Sequence, residues 1–183
     1  TKPTYVQLNP ADASPFNNGE FQGWGTALCW WANRLGYSEK LTNAAAEAFF
    51  SDKGLGLDIA RYNLGGGDDP THNHINRSDS KVPGVYSDYK LSSDGKDVES
   101  ITYDITKDQN QLNIAKAALK ANPDLYFEGF SNSAPYFMTK TGCTSGGGTV
   151  NSDGTVTSNG NLNNLNDDMY DDFAKFIADA TKL

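Results

Sequence analysis

The residues able to do chemistry here are aromatic and polar side chains clustered near strand ends. Trp24, Trp30, Trp31, Tyr136 and Phe137 fall at or just past segments that read as strands, with Arg61, Asn63, Asp68 and Asn132 as polar partners. Flat aromatic faces ringed by hydrogen-bonding groups suit a sugar, which has apolar C–H faces and a rim of hydroxyls. Trp30 and Trp31 also suit a plainer task, packing the first helix. Cleaving a glycosidic bond would further require two carboxylates, about 5–5.5 Å apart if configuration is retained. Among the strands predicted below, Glu128 is the only interior glutamate in the second half, and it equally fits a buried, paired role.

Other chemistries find less support. The run Gly65-Gly66-Gly67 lacks both the Lys-Ser/Thr ending of a phosphate-binding loop and the G-x-G-x-x-G spacing that opens into a helix. A strand-ending turn that needs positive φ explains it better. His72 and His74 alternate near Asp68 and Asp69, but metal binding needs a third ligand and a supporting shell. The sequence therefore predicts no metal and no cofactor. G-x-S-x-G is absent, which removes the nucleophile elbow of serine hydrolases. Cys29 and Cys143 are too few for a disulfide scaffold, and two separate thiols are expected rather than one bridge.

These side chains must be positioned by a core, and the composition can supply one. The chain has 183 residues, 37% of them hydrophobic, with Phe 9, Tyr 9 and Trp 3. That fits a single domain or part of a larger one and excludes wholesale disorder. Asp and Glu number 23 against 15 Lys and Arg, for a net charge of −8. Nucleic-acid and membrane-surface binding both want a basic footprint, so neither is expected. No apolar run approaches the roughly 20 residues of a membrane span. The chain begins with Thr1, which fits a trimmed start or a removed secretory signal, so a secreted or extracellular setting is expected.

Pattern then predicts the elements. Residues 4–8 alternate and read as a short strand, and 20–28 as a second, broken by Gly23 and Gly25. A helix is predicted over 38–51, with Ser38 as its cap and Leu41, Ala45, Ala48 and Phe49 at helical spacing. Residues 55–64 read as a strand, 71–98 as a long polar loop, 104–121 as a helix and 125–130 as a strand. The Gly-, Ser-, Asn- and Thr-rich stretch 144–164 reads as a flexible loop, and 167–183 as the last helix. Strands alternating with helices predict an α/β fold with a parallel sheet and long loops after its strands. In such folds ligands sit at the carboxyl ends of the strands.

Three segments carry a family resemblance: FQGWGTALCWWAN at 21–33, LDIARYNLGGGD at 57–68 and FSNSAPYFM at 130–138. They resemble the first, second and third barrel strands of glycoside hydrolase family 30, in the subgroup of endo-β-1,6-galactanases. The likeness runs through residues 18–183 apart from 144–164. It implies the N-terminal part of a (β/α)8 TIM barrel with a strand of a side β-sandwich. Residues 1–18 would hold that strand, and 19–183 the first three βα units. It implies retaining hydrolysis by two glutamates, with Arg61 beneath the sugar near the nucleophile and Asp68 at a substrate-binding position. Asn132 falls where many members carry a sugar-contacting Trp, and Ala27 where Ser is usual.

The acid/base glutamate of that family follows the fourth strand in an Asn-Glu-Pro motif, and its nucleophile follows the seventh. No Asn-Glu pair occurs here, so no catalytic residue is expected within this chain. By itself the chain is expected to be inactive. The resemblance thus implies part of a retaining, endo-acting hydrolase of β-1,6-linked galactan. Trp24, Arg61, Asn63, Asp68, Asn132 and Tyr136 would form its substrate-binding wall. Expected partners are a galactan-type polysaccharide or oligosaccharide and the remainder of the barrel, where it exists as further chain. A non-catalytic carbohydrate-binding fragment or engineered partial barrel is the alternative. A metal-dependent polysaccharide enzyme using His72 and His74 is a third reading.

Overall fold

The computed structural model describes residues 3–71, 81–144, 146, 148–158 and 163–183. Its centre is a parallel sheet of β1 (Gly25–Ala27), β2 (Ile59–Asn63) and β5 (Tyr126–Phe130), with β2 in the middle. The register aligns Ala27, Arg61 and Glu128 across the sheet. Between β1 and β2 come α1 (Trp31–Leu35) and α2 (Glu39–Phe50); α3 (Gln109–Ala121) leads into β5. This is the α/β arrangement with a parallel sheet that the sequence predicts.

Successive strand residues face opposite sides. In β2, Ala60 and Tyr62 turn toward the helices and join Phe50, Ile114, Ala118 and Leu125 in the buried core. Ser38 caps α2 by accepting a hydrogen bond from the Leu41 amide at 3.4 Å, as its sequence position predicts. At the other end of α1, the last carbonyls need donors from outside the helix. Asn110 and Asn113 supply them, donating to the Asn33 and Gly36 carbonyls at 3.0 Å each.

Residues 71–98 are not a long loop throughout. Within and just beyond that stretch, β3 (Tyr86–Leu91) and β4 (Val98–Tyr103) form an antiparallel hairpin. Register shifts at Tyr86/Asp88 and Lys90/Leu91 break its alternation, which hides the strands from a period-two pattern. The hairpin packs on α4 (Tyr170–Ala180): Tyr103 stacks on Phe176 at 6.1 Å, and the Val98 amide donates to Asp172 Oδ2 at 2.9 Å. The stretch 144–164 likewise contains a short hairpin of β6 (Gly148–Val150) and β7 (Val156–Ser158).

Residues 4–8 form no strand, and Tyr5 is 90% exposed. Alternation yields a strand only where a neighbouring strand offers a ladder and a surface to cover. Cys29 and Cys143 are not in a disulfide. Among the described residues, no helix is long and apolar enough to cross a membrane.

Candidate functional site

The carboxyl ends of the three parallel strands open into a cleft of about 630 Å³. Trp30 after β1, Asn63 and the glycines after β2, and Ser131 to Ala134 after β5 form its walls, with Asn164 and Phe173 arriving from the last third of the chain. The triglycine is there for space as much as for conformation. A Cβ on Gly65 would lie 2.3 Å from the Pro83 carbonyl oxygen, and one on Gly66 would lie 2.4 Å from that of Ala134. Gly67 alone of the three has positive φ, at 67°. Tyr86 donates its hydroxyl to the Gly66 carbonyl at 2.7 Å and holds this backbone from outside.

Asn63 and Asn132 both line the cleft and touch each other. The Asn132 amide donates to Asn63 Oδ1 at 3.4 Å, and the Leu64 amide donates to the Phe130 carbonyl at 2.6 Å. The ends of β2 and β5 are thereby tied at the cleft floor. Arg61 stands two residues earlier on the same face. Its guanidinium lies 4.2 Å from the Phe130 ring centroid, a cation–π contact, and it forms no ion pair among the described residues, although Glu128 is its register partner.

The other expected residues sit differently. Asp68, past the glycines, pairs with Lys81 at 3.1 Å. Tyr136 packs edge-on against Tyr89 at 5.7 Å, in the aromatic group that backs the cleft, and its amide donates to the Gly66 carbonyl at 3.1 Å. Trp24 is not in the cleft. It precedes β1 at the amino end of the sheet, where it is 71% exposed and edge-on to Phe21 at 5.2 Å. The strand expected over 20–28 starts only at Gly25, which leaves Trp24 at the wrong end. His72 and His74 lie outside the described residues, and among the described ones no group of three His, Cys, Asp or Glu gathers to hold a metal.

Trp30 lines the cleft and is 43% exposed, whereas its neighbour Trp31 packs on Phe49 at 5.1 Å and donates to the Ala27 carbonyl at 2.8 Å. The sequence offered both tryptophans without separating them. Burial pushes up the pKa of the Cys29 thiol, an effect partly offset by Arg61 and by a hydrogen bond with Asn63. Burial also pushes the Asp108 carboxyl up to about 7. Asp108 and Gln111 behind the cleft escaped the sequence reading. Their signal was a polar residue on an apolar face: Gln111 shares the buried stripe of α3 with Ile114, Ala115 and Ala118.

No carboxylate lines the cleft among the described residues. It is a neutral amide and hydroxyl surface with one exposed indole at its edge.

No family model matches the chain. By fold it resembles several solved structures. It superposes with a TM-score of 0.64 on a conserved exported protein from Bacteroides fragilis, 26% identical, covering 89% of this chain and 31% of that one. With the catalytic domain of GH30 xylanase C from Talaromyces cellulolyticus the TM-score is 0.53, at 17% identity, over 88% of this chain and 32% of that one; this is a likeness of fold alone. Two curated relatives are more particular. The chain is 30% identical to an exo-β-1,6-galactobiohydrolase of Bifidobacterium longum subsp. longum, over 73% of its own length and 12% of that protein's. It is 29% identical to an endo-β-1,6-galactanase of Hypocrea rufa, over 89% of its own length and 33% of that protein's. The resemblance to glycoside hydrolase family 30 read from the three motifs thus has counterparts in both comparisons, and the chain spans a third or less of each of these relatives.

Proposed function

We propose that this chain supplies one wall of the sugar site of a retaining, endo-acting hydrolase of β-1,6-linked galactan. The observation that carries the proposal is the cleft at the strand carboxyl ends, where Trp30, Asn63 and Asn132 converge, in a chain 29–30% identical to enzymes named for β-1,6-galactan. Residues 19–183 are then the first three βα units of a (β/α)8 barrel. Arg61 lies beneath the sugar, where an unpaired guanidinium would hold a neighbouring glutamate ionised. Asp68 accepts hydrogen bonds from sugar hydroxyls at the rim, in exchange with Lys81, and Tyr136 backs that rim. The two carboxylates of retaining hydrolysis come from outside these units, and the protein works outside the cell.

Electrophoresis through a gel cast with β-1,6-galactan tests this. The chain should be retarded, the variants Trp30→Ala and Asn132→Ala less so, and no reducing sugar should be released. Unaltered mobility of the wild type would contradict the wall. Release of sugar by this chain alone would contradict the division of labour.

A further inference from the structure

The ladder between β1 and β2 stops one step early. Leu28 donates its amide to the Arg61 carbonyl at 2.9 Å, and in a continuing parallel ladder the Asn63 amide would return to the Leu28 carbonyl. That carbonyl instead accepts from Ala32, 2.9 Å away, as α1 begins. Asn63 is buried, and an unpaired amide and carbonyl there would each lose its water partner without replacement.

Gln111 fills the gap. Its Oε1 accepts the Asn63 amide at 3.1 Å, and its Nε2 donates to the Asn63 carbonyl at 3.0 Å. One side-chain amide therefore acts as a strand residue would, on the residue that forms the cleft floor. Gln111 is itself held. Its Nε2 also donates to Asp108 Oδ2, which accepts the Tyr62 hydroxyl at 3.0 Å as well. Gln111, Asp108 and Asn63 are all at most 2% exposed. Asp108 Oδ1 is buried with no hydrogen-bond partner among the described residues.

We infer that Gln111, backed by Asp108 and Tyr62, is a positioning residue for the cleft: it replaces a strand at Asn63 and thereby fixes the side chain that holds Asn132, and it does so best while Asp108 is neutral. A neutral carboxyl still accepts both hydrogen bonds at Oδ2 and leaves only an uncharged hydroxyl at Oδ1; the two hydrogen bonds pull the pKa down, but burial outweighs them. An ionised one would leave a charged oxygen buried and unsatisfied. The direction of the Asp108 pKa, raised by burial, agrees. Tyr62 from β2 and Cys29 beyond β1 are the titratable groups that sense its charge, and burial raises both of them too. The inference rests on the sugar-wall reading only for what the cleft holds, so its test is read without sugar.

The test is a pH series of amide spectra, with hydrogen exchange, on the 183-residue chain. The Asn63 and Asn132 amides and the Gln111 side-chain amide should shift together with one midpoint near 7. Asp108→Asn should abolish that shift and keep the low-pH positions. Gln111→Met should speed exchange at the Asn63 amide by about tenfold, with Ala60 and Ala118 unchanged. A purely structural role would speed all three alike and would overturn the inference. So would Asn63 and Asn132 amides that do not respond to pH in the wild type, or an Asp108→Asn chain that still titrates. Failure of galactan binding with these spectra intact would overturn the sugar reading alone.

Discussion

The two faces of the parallel sheet obey different rules. Toward the helices, Ala60, Tyr62 and Leu125 meet Phe50, Ile114 and Ala118 at low exposure. Toward the other side, Ile59 and Arg61 are half-buried, Glu128 is exposed, and Tyr126 is 66% exposed. One face holds the chain together by close packing. The other carries a cation on an aromatic ring and leaves Glu128 and Tyr126 exposed. The outer strands β1 and β5 have no further strand partner among the described residues either. The two faces thus differ in how much packing each carries, and mutations on them should differ too.

The largest effect belongs to the packed face. Ile114→Ala should lower unfolding free energy by about 2–5 kcal/mol, because the cavity cannot fully collapse. Tyr126→Ser on the open face should stay within about 0.5 kcal/mol. Urea melts of the two variants check this, and equal losses would erase the distinction between the faces.

Next comes pH. Burial raises the Asp108 carboxyl from 3.8 to about 7 in the folded chain. Below 3.8 both folded and unfolded chains hold the proton, and the full stability is present. As pH rises from there to about 7 the unfolded chain releases its proton and the folded one does not. Stability therefore falls across that window and levels off above it, by a few kcal/mol. Urea midpoints measured across the window should decline in the wild type and stay flat in Asp108→Asn.

Tyr62→Phe removes a donor from that same buried carboxyl and should cost about 1–3 kcal/mol. The Tyr62 hydrogen bond offsets part of the rise that burial causes, so the midpoint of the Asp108 transition should move up in this variant. Smallest is Arg61→Lys. It loses the flat guanidinium stacked on Phe130, worth about 0.5–1 kcal/mol, and its melting temperature should drop slightly.

Legibility followed the same division. The packed face could be read because helix spacing and a capping Ser38 are local signals, and because 55–64 is mostly apolar around β2. The hairpin of β3 and β4 was lost to its register shifts, and residues 4–8 have a strand's alternation without a partner. At the site, Asn63 and Asn132 were legible because strand ends place them. Trp24 was misplaced because the strand starts later than its pattern suggests, and Gln111 was missed because its task depends on where a neighbouring ladder stops. No sequence period encodes that.

The proposed sugar wall predicts which end of the sheet a galactan fragment meets. Amide and indole spectra of the chain, titrated with β-1,6-galactobiose, answer that residue by residue. Shifts at Trp30, Asn63 and Asn132, with Trp24 and Phe21 unmoved, are the predicted result. Shifts centred on Trp24 and Phe21 at the amino end, or none anywhere, would contradict it.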